Sequence, residues 1–136
     1  MPGLDPALLR GVSIFDEVSD DELASLAGDF VARDFAAGAE LATEGQGGLN
    51  FFVVESGEAT VGVGGATVGT LGPGASFGEV ALVDKSARTA TITATTDMRT
   101  WALPIWSFRS FVETRPQVAW KLLELLAERL RTATAR

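Results

Sequence analysis

Hydrophobic and polar positions along the 136-residue chain change their period twice. In the first 30 residues the apolar side chains recur at helical spacing. Asp5-Pro6 places a capping side chain before a proline at the first helical position, and Gly11 follows as a stop. Ser19 stands three residues ahead of Glu22, the spacing of a capping box, and Leu23, Leu26, Ala27 and Phe30 follow on one helical face. From residue 31 to residue 104 the pattern is that of strands. VARDF alternates Val31, Arg33 and Phe35 with smaller or polar neighbours. FFVVESGEATVGVGGATVGTL predicts strands joined by hairpin turns at Ser56-Gly57 and Gly64-Gly65, and GPGA at 72–75 predicts another turn. TATITA and MRTWAL carry the threonines, branched and aromatic side chains that suit a pleated, half-buried surface. Pro104 closes the last strand. WSFRSFVET then predicts a short helix, and Pro116 opens a longer one through QVAWKLLELLAERLR, with Ala119, Leu122, Leu123, Leu126 and Leu130 as its apolar stripe.

Several short strands split by glycine turns, with helices at both ends, predict a mostly β fold with flanking helices, a small barrel or jelly-roll sandwich. The length suits one domain with one core, and no linker or internal repeat interrupts it. The stripe on the last helix is expected to pack on the barrel; a dimer seam is the second reading.

Composition narrows the chemistry. The chain has no histidine and no cysteine, which removes a thiolate nucleophile, an imidazole base and a Cys/His zinc site. A metal would have to be a hard cation held by oxygens, and the carboxylates lack the spacing of a calcium loop. The net charge of −7, with ERLRTATAR as the only basic cluster, argues against nucleic acid and anionic membranes as partners. No apolar run is long enough to span a bilayer, so direct membrane insertion is not expected. MPGLDPALLR lacks the basic flank and apolar core of a secretory signal. A cytoplasmic protein is the expectation.

One stretch concentrates the remaining possibilities. FGEVALVDKSARTATI, residues 77–92, follows GPGA and sets Glu79 nine residues before Arg88 among small and apolar neighbours. Glycines permit close backbone approach, and a turn feeding a short helix over EVALV would leave amides free to hold an anion. Arg88 offers a planar fork of donors matched to two phosphate oxygens, and Thr89 adds a hydroxyl. Glu79 repels a phosphate and accepts hydrogen bonds from a sugar hydroxyl. The residue types therefore suit a ligand carrying both a phosphate and a ribose. They equally suit a structural ion pair between Glu79 and Arg88 on a loop.

The stretch resembles the phosphate-binding cassette of the cyclic nucleotide-binding domain family, in Phe77, Gly78, Glu79, Ala81, Leu82, Arg88, Thr89 and Ala90 with no insertion. The likeness extends to IFDEVSDDELASLA, to FAAGAELATEGQ, which resembles the family's strand pair, and to NFFVVESGEATV, which resembles its hairpin. It covers roughly the whole chain. The resemblance implies an eight-stranded β-roll, a double-stranded β-helix of jelly-roll type. Its parts would be an N-terminal helical bundle over 1–30, a β-roll over 31–104, the cassette over 77–91, and hinge and lid helices over 105–136. It implies that Glu79 accepts the ribose 2′-hydroxyl and Arg88 binds the exocyclic phosphate oxygens. Backbone amides of Ala81 and Thr89 would add donors, Gly78 would allow contact with the sugar, and Val80 and Ala90 would complete the contacting stretch. On the lid helix, Arg129 falls where some bacterial members cap the purine; a solvated residue favourable to the helix dipole is the alternative reading. Ala87 replaces the proline that often precedes the arginine, GQGGLN replaces an acidic turn, and Asp84-Lys85 sits on the cassette loop; none is a predicted ligand contact.

The expected function is a non-enzymatic sensor that binds a cyclic mononucleotide, cAMP first and cGMP second, and converts binding into helix movement. No catalytic cofactor is expected. The output would be an effector protein or a fused output domain, with the chain a monomer or a weak homodimer through its C-terminal helix. A degenerate domain serving as an interaction or dimerisation scaffold is the alternative; intact Glu79 and Arg88 count against it. A cupin-like metalloenzyme is disfavoured by the absence of histidine. A transcription regulator is disfavoured because the chain stops soon after the lid helix and is acidic.

Overall fold

A computed structural model describes residues 3–42, 50–78 and 90–134. The chain begins with α1 (Pro6–Arg10), a 3₁₀ turn (Ser13–Phe15) and α2 (Asp20–Ala27). Both helices start where the sequence predicts. The Asp5 carboxylate accepts the Ala7 N–H at 2.9 Å, and Ser19 Oγ accepts the Glu22 N–H at 3.2 Å. Such caps satisfy amides that the first turn leaves without partners. Phe30 does not lie on α2, which stops at Ala27. It is buried beyond the helix, edge-on to Phe51 at a centroid distance of 6.4 Å.

Among the described residues eight strands follow: β1 (Val31–Phe35), β2 (Glu40–Ala42), β3 (Asn50–Ser56), β4 (Ala59–Val63), β5 (Ala66–Leu71), β6 (Ser76–Phe77), β7 (Thr91–Ala94) and β8 (Met98–Pro104). They form two four-stranded antiparallel sheets, in the orders β1-β8-β3-β6 and β2-β7-β4-β5. This is the mostly β roll with flanking helices that the pattern predicts.

Two connections differ from expectation. β1 and β2 do not pair with each other, because they lie in opposite sheets. Ser56-Gly57 is not a hairpin either: β3 belongs to the first sheet and β4 to the second. The turn is a corner, held by the Glu58 carbonyl, which accepts the Thr95 N–H at 2.9 Å, and by Thr96 Oγ1, which accepts the Glu58 N–H at 3.0 Å. Gly57 has φ +90°, and a Cβ there would lie 2.4 Å from the Asp97 carbonyl oxygen, so the corner admits no side chain at this position. The Gly64-Gly65 turn does join a hairpin, with Val63 opposite Ala66.

The first sheet is buried on both faces at β3 and β8, which explains why FFVV does not alternate. Phe51, Val53, Trp101 and Leu103 face the helices, in one core with Leu9, Phe15, Leu23 and Leu26. Phe52, Val54, Met98 and Ala102 face the second sheet, in a separate core with Leu41, Phe77, Ile92 and Ala94. The buried Thr100 hydroxyl donates to the Arg33 carbonyl at 2.8 Å. Of the alternating residues of β1, Phe35 packs against the core between the sheets, whereas Val31 is exposed.

The chain closes with α3 (Ile105–Glu113) and α4 (Pro116–Thr134). The face of α4 that packs overlaps the predicted stripe only at Ala119 and Leu122. Val118 and Leu122 are buried and Leu125 packs beside them, while Leu123 and Leu130 lie with Trp120 on an exposed face. Among the described residues no helix is long and apolar enough to cross a membrane.

Candidate ligand-binding site

The predicted cassette is flanked in sequence by two anchored strands. On its entry side β6 pairs with β3, Phe77 opposite Phe52 and Ser76 opposite Val53. The Phe77 ring stacks on Phe52, centroids 4.8 Å apart and planes 16° apart. The preceding GPGA turn is fastened to β3 as well, since Gly74 N–H donates to the Val54 carbonyl at 2.8 Å and Val54 N–H donates to the Ala75 carbonyl at 2.9 Å. Gly78 follows with φ +100°, a conformation glycine takes without strain.

On the exit side Ala90 is a bend leading into β7, which lies between β2 and β4 in the second sheet. Ile92 is buried in the same inter-sheet core as Phe77. The strand before residue 79 thus lies at the edge of one sheet and the strand after residue 89 in the interior of the other, and both contribute to a single core. Flanks held in this way are what a binding segment on a rigid scaffold requires.

Of the predicted contact residues, the structure places Gly78 and Ala90 at the two ends of this span. Glu79, Val80, Ala81, Arg88 and Thr89 lie outside the described residues. Arg129 lies on α4, and its side chain is outside the described residues.

The predicted lid helix is tied to the N-terminal helices near its start. Arg115, between α3 and α4, forms an ion pair with Glu22 of α2. Its guanidinium sits 4.1 Å from the Phe111 ring centroid and donates to Thr114 Oγ1 at 2.8 Å. The Arg115 hydrogen bond, followed by that of Ser19, holds the Glu22 carboxyl below the usual carboxylate range. One turn into α4, Lys121 Nζ lies 3.5 Å from both Asp16 and Glu17. The charge of Asp16, ahead of that of Glu17, raises the Lys121 ammonium above its ordinary value. Sequence reading assigned Glu22 only to the capping box; its partner lies 93 residues away and no local signal announces it.

Comparison with known proteins agrees with this architecture. The family model described as the cyclic nucleotide-binding domain matches residues 32–115. The chain is 30% identical over 129 residues to a CRP-like cAMP-activated global transcriptional regulator of Mycobacterium tuberculosis, covering 91% of this chain and 58% of that one. Among solved structures it is similar to the catabolite activator protein of Thermus thermophilus, at 31% identity and a TM-score of 0.79, over 89% of this chain and 59% of that one. It is also similar to the N-terminal domain of a transcriptional regulator from Streptomyces coelicolor, at 30% identity and a TM-score of 0.75, over 94% and 95% of the two chains. The chain therefore spans a little over half the length of its Mycobacterium relative. A family model that matches residues 32–115, together with the two-sheet roll, makes this chain a member of the cyclic nucleotide-binding domain family.

Proposed function

We propose that this chain is a sensor module for a cyclic mononucleotide, with cAMP preferred over cGMP. The observation that carries the reading is the Phe77-Gly78-Glu79 sequence with Arg88 nine residues beyond Glu79, strung between strands whose buried residues Phe77 and Ile92 share one core. Arg88 supplies the cationic fork for the phosphate and Glu79 the acceptor for the ribose hydroxyl. The preference for cAMP draws support from the relative named for activation by cAMP. Thr89 is compatible with either base.

The module acts by binding rather than by catalysis; the absence of histidine and cysteine supports this. The ligand shifts the population of α4 toward a closed arrangement, with Arg129 over the purine, and the helix passes the change to an effector or a fused output domain. The relatives' own role in transcription bears on a longer protein. The net charge of −7 supports a partner other than nucleic acid for these 136 residues. A cytoplasmic location is consistent with this role.

Titration calorimetry of cAMP and cGMP against the 136-residue chain, after removal of copurified nucleotide by unfolding and refolding, tests the reading. Micromolar or tighter binding supports it, and the ratio of affinities assigns the base. No heat with either nucleotide from a folded protein overturns it and favours a scaffold. That second reading rests on the exposed face of Trp120, Leu123 and Leu130 on α4, which would seat a second copy. Sedimentation at rising concentration would show such a dimer.

A further inference from the structure

On the side of the molecule formed by α2 and α3 lies an open groove of about 400 Å³, within the size range of ligand sites. Ser25 and Asp29 of the α2 side line one wall, and Trp106, Ser107 and Ser110 of α3 line the other. The helical period puts them there: Glu22, Ser25, Leu26 and Asp29 share one face of α2 and its continuation, and Trp106, Ser107, Ser110 and Thr114 share one face of α3. Trp106 is 68% exposed, and its indole lines the groove without a hydrogen-bond partner among the described residues. The Ser25, Ser107 and Ser110 hydroxyls and the Asp29 carboxylate likewise make no side-chain hydrogen bond or ion pair there.

Charge decides what the groove can take. Glu22 and Arg115, which also line it, neutralise each other. Asp29 is left as the uncompensated charge, beside an aromatic face and three hydroxyls. An anion is disfavoured. An apolar side chain would leave the carboxylate and hydroxyls without partners. A guanidinium meets each element: its plane stacks on an indole, its charge complements a carboxylate, and its several N–H donors reach hydroxyl oxygens. The first turn of α2 adds Asp21, Asp20 being paired with Arg10 at 2.7 Å, and the net charge of −7 favours approach of a basic chain.

We propose that this groove is a docking site for an arginine side chain presented by a partner protein, with a lining that shares no residue with the predicted cyclic nucleotide contacts. The test uses the full chain labelled with ¹⁵N and a blocked Gly-Arg-Gly peptide as probe, with the same peptide carrying citrulline as the uncharged isostere. The chain has three tryptophans, and Trp106→Phe identifies the Trp106 indole resonance. The arginine peptide is expected to shift that resonance saturably and the citrulline peptide to leave it in place. Asp29→Asn should weaken the arginine response by about fivefold, the scale of an exposed charge pair, and Trp106→Ala should abolish binding while leaving the fold intact. Equal shifts with citrulline, an undiminished affinity in Asp29→Asn, a response confined to Trp120, or no shift up to tens of millimolar would each overturn the assignment.

Discussion

The rings of Phe51 and Phe108 lie parallel, centroids 4.5 Å apart and planes 10° apart, and both side chains are fully buried. This contact joins the central strand β3 to α3. Phe15 meets Phe51 edge-on from the N-terminal helices at 6.1 Å, so one ring links three parts of the chain. Phe51→Ala removes all of these contacts and leaves a cavity. It is expected to lower the free energy of unfolding by about 3–5 kcal/mol, read from urea denaturation by circular dichroism. A loss below about 1 kcal/mol would mean that the site collapses around the smaller side chain.

Gly57→Ala tests the corner between the sheets. The added methyl would fall 2.4 Å from a carbonyl oxygen of Asp97 and 2.8 Å from the Met98 Cα, both backbone atoms that cannot swing aside. The variant should be destabilised by more than the roughly 1 kcal/mol expected of glycine replacement at an unstrained site. A melting temperature equal to that of the parent would contradict the close approach.

Among the described residues, two carboxyls are held below the ordinary carboxylate range. Glu22 is held below its ordinary range by the Arg115 hydrogen bond, and Asp34 by the bidentate hydrogen bonds of Arg99 at 2.7 and 2.9 Å. A depressed carboxyl stabilises the folded state above its unfolded pKa. The contribution is lost as pH falls through the folded value, because the unfolded chain binds the proton first. The melting temperature should therefore fall as pH drops below the ordinary carboxylate range. Glu22→Gln with Asp34→Asn should flatten that dependence, although both variants start from lower stability at neutral pH. An acid limb as steep in the double variant as in the parent would assign the effect to other groups.

Within the proposed cassette, Arg88→Ala should weaken cyclic nucleotide binding by about 2–4 kcal/mol, the loss of a charge-assisted bidentate contact to phosphate. Calorimetry measures it directly. The 2′-deoxy analogue should bind worse than the parent nucleotide and lose little further in Glu79→Gln, since the hydroxyl and its acceptor act as a pair. Equal binding of the deoxy analogue would remove Glu79 from that role.

Arg129→Ala separates a lid residue from a surface residue. If the guanidinium stacks on the purine, the dissociation rate of a fluorescent cyclic nucleotide should rise several-fold with little change in the association rate. Stopped-flow traces that overlay those of the parent would leave Arg129 as a solvated side chain.

Features set by near neighbours were legible in the sequence. Asp5-Pro6, Ser19 with Glu22, and Pro116 marked helix starts because capping is decided within a few residues. The spacing of Glu79 and Arg88 pointed to a cassette only through the family resemblance; those residues lie outside the described ones, and the structure shows that the flanking Phe77 and Ile92 share one core. What failed was long-range. FFVV followed by Ser56-Gly57 looks like a hairpin locally, but β3 finds its partners in β8 and β6, and β4 finds its own in β7 and β5. On α4 two apolar stripes overlap. The predicted one mixed Ala119 and Leu122, which pack, with Leu123 and Leu130, which are exposed, and omitted the fully buried Val118. Only the neighbouring N-terminal helices decide between them.

The burial of the first sheet on its helical side has a practical corollary for anyone dividing this chain. The region shared with the family model runs from residue 32 to residue 115. Leu9, Phe15, Leu23, Val118 and Leu122, which cover Phe51, Val53, Trp101 and Leu103, all fall outside it. A fragment trimmed to the shared region would keep both sheets and α3, yet uncover much of the apolar surface around Phe51 and Trp101 and tend to aggregate. Homology and autonomous folding thus have different borders here, and the helices that the family model leaves aside are those the roll needs to stay in solution.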